Sequence, residues 1–210
     1  MDPRNHWQRV YTRRKPTEVS WYQPKAELSA SLIEHIAPDR SLSIIDVGGG
    51  ASTLVDGLLA HGYERITVLD VSSAALAAAA ARLGAAAGRV TWLEADVLDA
   101  ALPAAGYDVW HDRAVFHFLT DETDRHRYVE QVRASVRLGG HVLVATFAPD
   151  GPAKCSGLDV ARYGPLELHG QFGSDFQLVE SVREEHHTPA GVVQPFTYCL
   201  CRIKADAAAG

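Results

Sequence analysis

The chain has few cysteines, no excess of basic residues and no long hydrophobic run. Its 210 residues include only three cysteines, Cys155, Cys199 and Cys201, too few and too late in the chain for a disulfide framework. The net charge of −6 argues against binding along a nucleic-acid backbone. The longest apolar stretch, residues 74–81, is nearly all alanine and too short to cross a bilayer. Residues 1–15 contain no apolar signal segment, so we expect a cytoplasmic protein without nucleic-acid or membrane partners.

Short apolar runs alternate with segments of helical period along most of the chain. Buried strands are predicted at residues 42–47, 66–69, 90–93, 107–110 and 141–147. Residues 176–182 and 196–203 are rich in β-forming residues and leave no room for a helix between them, so we expect an antiparallel hairpin. The pattern predicts the α/β class, with a doubly wound, Rossmann-like sheet of seven strands in a single domain.

Helices are predicted between these strands. One carries Leu28, Leu32, Ile33 and Ile36 on one face, and another is alanine-rich, capped by Ser72 or Ser73. A charged helix with Tyr128 on its buried face is expected to end at Gly139-Gly140. We assign residues 25–204 to the domain, residues 1–24 to an N-terminal segment and residues 205–210 to a disordered tail.

Polar residues follow the first three predicted strands, and in such sheets ligands bind beyond the carboxyl ends of the strands. Asp46–Ser52 contains three glycines, which allow a ligand to approach the backbone closely. A dinucleotide fingerprint needs glycine at position 53, where Thr53 argues against a nicotinamide-dependent oxidoreductase. Asp70 stands where a ribose diol would be held, and Asp96 stands where a carboxylate can accept from an exocyclic amino group. Singly, each is also explained as an ordinary turn or capping residue.

These motifs resemble, in order, those of class I S-adenosylmethionine-dependent methyltransferases. The matching stretches are DVGGGAS, VLD, EADV, YDVWHDR and LGGHVLVATF, within residues 40–147. Ser52 replaces the family's usual third glycine, a substitution that suits the elongation-factor lysine methyltransferases. Thiopurine methyltransferase-like enzymes have an Asp-Arg pair after the fourth strand, similar to Asp112-Arg113. Both branches carry an aromatic N-terminal segment, and the motifs do not separate them.

The resemblance implies S-adenosylmethionine as the cofactor and a set of residues that bind it. The methionine end would meet Asp46, Gly48, Gly49, Gly50, Ser52 and His111; the ribose would meet Asp70 and Val71; the adenine would meet Asp96 and Val97. Trp21 is assigned to the cofactor as part of an aromatic lid. The lid would combine Trp7, Tyr11, Trp21 and Tyr22 with the basic residues before position 16, although a solvated basic face is the alternative.

His117 and Asp112 are the candidate catalytic residues, because a hydroxyl acceptor needs a general base and histidine titrates near neutrality. The alternatives are a buried structural imidazole and an Asp112–Arg113 ion pair. Adjacent His186 and His187 would point to opposite faces of a strand, so no metal site is expected.

The motifs and the small size of the chain predict methyl transfer to a small-molecule acceptor with a thiol, amine or hydroxyl group. The first alternative is a protein-lysine N-methyltransferase that acts on an exposed protein side chain. The second, from another class, is a non-catalytic nucleotide- or cofactor-binding module. The sequence does not predict the oligomeric state.

Overall fold

Nine strands and six α-helices alternate along residues 3–205, the range described by the computed structural model. The strands are β1 Ser43–Val47, β2 Arg65–Asp70, β3 Val90–Glu94, β4 Tyr107–Arg113, β5 Val136–Phe147, β6 Lys154–Cys155, β7 Leu158–Asp159, β8 Phe176–His187 and β9 Val193–Ile203. The helices are α1 Pro3–Arg13, α2 Glu27–Ile36, α3 Leu54–Ala60, α4 Ser73–Leu83, α5 Glu122–Ser135 and α6 Pro165–Gly170.

Seven of the strands form one sheet in the order β3-β2-β1-β4-β5-β9-β8. The first five strands are parallel to one another, whereas β9 runs antiparallel to both β5 and β8. The predicted seven-stranded sheet with its C-terminal hairpin is therefore confirmed. The strands β6 and β7 make a separate two-stranded ribbon, which the sequence patterns did not predict.

The central strands are buried on both faces, which explains their continuous apolar runs. In β1, Ile44 packs into one core layer with Ile33 of α2 and Leu58 of α3. Its neighbour Ile45 points to the opposite layer, where Tyr128 of α5 packs. The two layers leave the carboxyl ends of the strands as the site where loops can meet a ligand.

The alanine-rich helix α4 begins as predicted, because the Ser72 hydroxyl accepts a hydrogen bond from the Ala75 amide. The predicted end of the charged helix is wrong. Helix α5 ends at Ser135, and Val136 already belongs to β5. Gly139 and Gly140 lie inside that strand, where the pairing of β4 with β5 shifts register. A Cβ at Gly140 would lie 2.7 Å from Cγ1 of Val136. Glycine at this position therefore avoids a clash within the irregular part of β5.

The N-terminal segment folds as helix α1 followed by a single 3-10 turn at Pro16–Glu18. No feature of the sequence predicted a helix there. Of the predicted tail, residues 206–210 lie outside the described residues. Within residues 3–205 no helix has the length and apolar character needed to span a membrane.

Candidate active site

Two adjoining cavities lie at the carboxyl ends of β1, β2 and β4, with volumes of about 230 Å³ and 50 Å³. Five residues line both of them: Tyr11, Trp21, Val47, Gly48 and Arg113. The two cavities are therefore parts of one cleft, narrowed where α1 and the segment after it cross the sheet edge.

The glycine loop after β1 has a backbone that other residues do not adopt easily. Gly48 has a φ of +66°, and a Cβ there would come within 2.0 Å of the Val115 side chain. At Gly50, with a φ of +35°, a Cβ would lie 2.5 Å from an Asp70 carboxylate oxygen. Because glycine has no side chain, the loop can pass close to Val115 and Asp70. The backbone of Gly48 then forms part of the wall of the cleft.

Two buried carboxylates flank this loop. Asp70 lines the larger cavity, and its Oδ1 accepts a hydrogen bond of 2.8 Å from the Ser72 amide. Burial raises the pKa of Asp70 to about 7, and the nearby Asp46 adds to that rise. Asp46 lines the smaller cavity, and its buried Oδ2 has no hydrogen-bond partner within residues 3–205. Both carboxylates can accept hydrogen bonds from a ligand, which fits the ribose hydroxyls and the amino group of S-adenosylmethionine.

The far wall of the larger cavity is formed by the loop after β3. Val97 is buried there, and Asp96 accepts a 3.0 Å hydrogen bond from the Leu98 amide through one carboxylate oxygen. Val71 and Leu98 complete this wall. An apolar slot with one carboxylate at its edge matches an adenine ring and its exocyclic amino group.

The structure brings most of the predicted cofactor residues to this cleft. The larger cavity is lined by Trp21, Gly48, Asp70, Val71, Asp96 and Val97, and the smaller by Trp21, Asp46, Gly48, Gly49, Ser52 and His111. Gly50 lines neither cavity, but its backbone shapes the loop. The residues present therefore fit the cofactor that the motifs predict.

The other end of the larger cavity is aromatic. Its rings are Trp7, Trp21, Phe118, Phe147 and Phe196. The Trp7 ring packs edge-on against Trp21 and Phe118, with centroid separations of 5.5 Å and 5.2 Å. Cys155 also lines this end, and burial raises the pKa of its thiol to about 12, so the thiol is uncharged at neutral pH.

A chain of buried polar groups, which sequence reasoning missed, runs behind the smaller cavity. His111 Nδ1 lies 2.7 Å from Asp46 Oδ1, and its Nε2 lies 2.9 Å from the Ser29 hydroxyl. Ser29 Oγ is 3.5 Å from the Tyr198 hydroxyl on β9. The sequence of α2 did not indicate that Ser29 contacts His111, because a single serine beside the apolar residues of a helix belongs to no motif.

Arg113 continues this chain toward the N-terminal segment. Its Nε donates to the Tyr198 hydroxyl at 2.9 Å, and its Nη2 donates to Glu184 Oε2 at 2.9 Å. The other oxygen of Glu184 accepts a 2.8 Å hydrogen bond from the Gln23 side chain. Arg113 thus pairs with Glu184 on β8 and not with Asp112, so the Asp112–Arg113 ion pair that the sequence offered as an alternative is not formed.

The two predicted catalytic residues are buried away from the cleft. Asp112 accepts hydrogen bonds from the Tyr128 hydroxyl at 2.6 Å and from the amides of Val115 and Phe116. Burial raises the pKa of Asp112 to about 6. These three donors show that Asp112 shapes the loop after β4, and it is not among the residues that line either cavity.

His117 packs between aromatic rings, with centroid distances of 4.4 Å to Phe118 and 4.9 Å to Phe147. Neither ring nitrogen has a hydrogen-bond partner in the described part of the chain. Burial, with the Arg113 charge, lowers the pKa of His117 to about 3. A neutral imidazole with so low a pKa is a weak base, and like Asp112 it lines neither cavity. The geometry therefore gives no support to the predicted role of either residue.

The N-terminal segment is tied to the loops of the sheet by several polar contacts. The Gln8 side-chain oxygen accepts hydrogen bonds from the Ser72 hydroxyl at 3.0 Å and the Ala74 amide at 3.2 Å, at the start of α4. His6 contacts the Ser156 hydroxyl at 3.2 Å. Trp21 Nε1 donates to the Tyr11 hydroxyl at 3.0 Å. These contacts hold α1 across the cleft.

Comparison with known proteins agrees with this geometry. Residues 45–142 match a family model described as a methyltransferase domain. The eEF1A lysine and N-terminal methyltransferase of Bos taurus is 25% identical over 184 residues, covering 84% of this chain and 26% of that protein. An uncharacterized methyltransferase of Mycobacterium tuberculosis is 31% identical over 121 residues, which are 56% of each chain. The chain thus spans about a quarter of the length of the first relative and just over half of the second.

Among solved structures, the 1,6-didemethyltoxoflavin-N1-methyltransferase of Burkholderia thailandensis has the same fold, with a TM-score of 0.66. It is 19% identical, covers 96% of this chain and 84% of its own, and was solved with 1,6-didemethyltoxoflavin and S-adenosylhomocysteine bound. The branch of the first relative is one of the two that the sequence motifs suggested. Residues 45–142, just under half of this chain, are thus similar to a methyltransferase domain, which is the class of enzyme that those motifs predict.

Proposed function

We propose that this chain transfers a methyl group from S-adenosylmethionine to a small-molecule acceptor bound at the aromatic end of the larger cavity. The observation that carries the proposal is the continuity of that cavity. It runs from Asp70 and Asp96, which suit an adenosine, to the rings of Trp7, Phe118 and Phe196. A flat apolar acceptor fits that end, while α1 covers it.

The cofactor, when bound, supplies a methyl group that is already activated on a positively charged sulfur. The residues of this chain bind, orient and exclude water. Asp70 would hold the ribose hydroxyls, and Asp96 with Val97 would hold the adenine ring. Trp7, Trp21 and Phe118 would cover the acceptor, because water in the cleft would solvate the reacting atoms and weaken their alignment.

The acceptor has to present a lone pair, and the ionisable groups described beside the aromatic rings, Cys155 and Arg113, do not take up its proton. Cys155 is uncharged there, and Arg113 is a cation paired with Glu184. The surroundings favour an acceptor that loses its proton readily, such as a thiol, whose reference pKa is about 8.5, or an amine that desolvation deprotonates.

A protein-lysine N-methyltransferase is the second candidate. It is favoured by the similarity to the eEF1A lysine and N-terminal methyltransferase, which extends over 84% of this chain. A lysine side chain would have to enter past α1, so the N-terminal segment would need to open. A protein substrate would therefore require the N-terminal segment to move during the reaction, whereas a small molecule could react while α1 covers the cleft.

Calorimetry with S-adenosylhomocysteine, S-adenosylmethionine and NAD tests the cofactor. We expect saturable binding of the two sulfur compounds and none of NAD; no binding of either sulfur compound would end the proposal. A screen for transfer of labelled methyl from S-adenosylmethionine then compares thiols, amines, hydroxyl compounds and protein extracts. Labelled protein without any labelled small molecule supports the second candidate. Tight cofactor binding with no transfer in any arm indicates a non-catalytic binding module.

A further inference from the structure

A second groove lies at the opposite end of the sheet, at the amino ends of β1, β2 and β3. It has a volume of about 490 Å³. Doubly wound sheets place helices over both faces, but residues 95–106 between β3 and β4 contain no helix in the structure. Without a helix in that connection, one face of the sheet is only partly covered at β2 and β3. Side chains on that face are therefore exposed to solvent.

The strand register places cations and hydroxyl groups side by side in this groove. Ser43 is paired with Arg65 and Thr67 with Thr91. The pairing of Ile66 with Val90 puts Arg89 beside Arg65 just before β3 begins. Because side chains alternate along a strand, both arginines share the face of the two threonines. The residues on this face that line the groove include Ser43, Arg65, Thr67, Arg89 and Thr91.

The polar groups of this groove lack partners. Within residues 3–205, neither Arg65 nor Arg89 has an ion pair or a side-chain hydrogen bond. The hydroxyl of Ser43 is buried and also has no partner in that range. Glu64 is the carboxylate that lines the groove. Arg65 and Arg89 are both exposed, so solvent weakens the repulsion between their charges. The buried Ser43 hydroxyl without a partner is costly, and a bound anion would relieve both effects.

We propose that this groove binds a small phosphate-bearing anion through Arg65 and Arg89, with the nearby hydroxyls as further donors. Guanidinium groups match phosphate oxygens in pairs and remain charged at all physiological pH values. The groove is at the other end of β2 from Asp70, so the anion would not be the methyl acceptor.

Calorimetry and thermal unfolding test the site with inorganic phosphate and with glycerol 3-phosphate, against sodium chloride at equal ionic strength. The protein is used both free and saturated with S-adenosylhomocysteine. We expect saturable binding of at least one phosphate compound in both forms, with affinity lowered at least tenfold in Arg65→Gln and Arg89→Gln. Lys204→Gln removes the same charge from an exposed position and should bind as the unmodified protein does. Preference for one phosphate compound separates free phosphate from an ester.

Without phosphate, Arg65→Gln should have a melting temperature at least equal to that of the unmodified protein, since it relieves repulsion. That measurement shows that a loss of binding does not reflect misfolding. Equal phosphate affinity in the variants and the unmodified protein overturns the proposal, as does a response that sodium chloride reproduces. The cofactor measurements are independent of either result.

Discussion

Nδ1 of His111 lies 2.7 Å from Oδ1 of Asp46, and both side chains are almost fully buried at the carboxyl ends of β1 and β4. With Ser29 on the other ring nitrogen, the order of groups resembles that of a hydrolytic triad. Ser29, however, is 1% exposed and its hydroxyl also meets Tyr198. No substrate can reach that oxygen, so we interpret the chain as a support that orients Asp46 beside the glycine loop.

Replacing His111 should therefore be costly. His111→Ala leaves the Asp46 carboxylate buried without its partner, and we expect a loss of about 3 kcal/mol in the free energy of unfolding. Ser29→Ala removes only the second contact of the ring and should cost about 1 kcal/mol. Urea unfolding of both variants measures the difference. Equal losses would contradict the importance of the Asp46–His111 contact.

Asp70 should control both cofactor affinity and the pH dependence of stability. Asp70→Ala should weaken S-adenosylhomocysteine binding at least about tenfold, since hydrogen bonds to the ribose are lost. The folded-state pKa of about 7 lies above the ordinary value of 3.8. Between those values the native state holds the proton more tightly, so this group makes stability fall as pH rises toward 7 and above.

The conservative variant Asp70→Asn isolates this effect. Without cofactor, we expect the unmodified protein to lose on the order of 2 kcal/mol more than the variant between pH 5 and pH 8. Urea unfolding at the two pH values gives the comparison. If the two proteins show the same pH dependence, Asp70 is not buried as the structure shows.

The effect of His117 on the pH dependence of stability should be opposite to that of Asp70. Its folded-state pKa of about 3 lies below the ordinary 6.5, so the stability associated with the neutral ring is lost as pH falls below 6.5. His117→Leu keeps a similar volume without unsatisfied nitrogens. We expect the variant to lose less stability than the unmodified protein between pH 7 and pH 5, by on the order of 2 kcal/mol.

The same variant tests the catalytic role predicted from the sequence. If His117 only fills space, His117→Leu retains methyl transfer at close to the original kcat once an acceptor is known. A fall in kcat of a hundredfold with unchanged cofactor affinity would restore His117 as the base.

Gln8 should hold the N-terminal segment against α4. Gln8→Ala removes the acceptor that Ser72 and the Ala74 amide share, and we expect faster proteolysis within residues 3–24 with little change in global stability. Thr12→Ala is the matched control, because the Thr12 hydroxyl donates only to the Gln8 carbonyl within the same helix. Cleavage at the same rate in both variants would show that the Gln8 contacts do not hold the N-terminal segment against α4.

The sequence predicted the sheet well because each strand is a short apolar run between turn residues. The cofactor loop was also readable, since Asp46 and Asp70 lie at the ends of β1 and β2, Asp96 follows β3, and parallel strands end at the same edge. Helix α1 was missed because its apolar residues contact other elements instead of forming a buried face. Trp7, Val10 and Tyr11 have helical spacing, but the other residues of α1 are almost all polar and none of its residues is buried.

The side chains behind the site were harder to predict, since they depend on contacts between distant segments. A pair between Arg113 and its neighbour Asp112 was one alternative from the sequence, but neighbouring residues on a strand point to opposite faces. Glu184, which does pair with Arg113, comes from β8 and shares no sequence motif with it. The hydrophobic period of a strand shows which face of the sheet each side chain is on. It does not show which side chains of two distant segments come into contact.

The contacts of the N-terminal segment also bear on the order in which the chain folds. Gln23 meets Glu184, and the carbonyl of Ser20 accepts from His186, although more than 160 residues separate each pair. During synthesis, residues 3–24 are made well before their partners on β8. The residues that follow α1 therefore wait for these contacts while strands β1 to β5 are made, and the roof of the cleft is completed only after β8 has been synthesised.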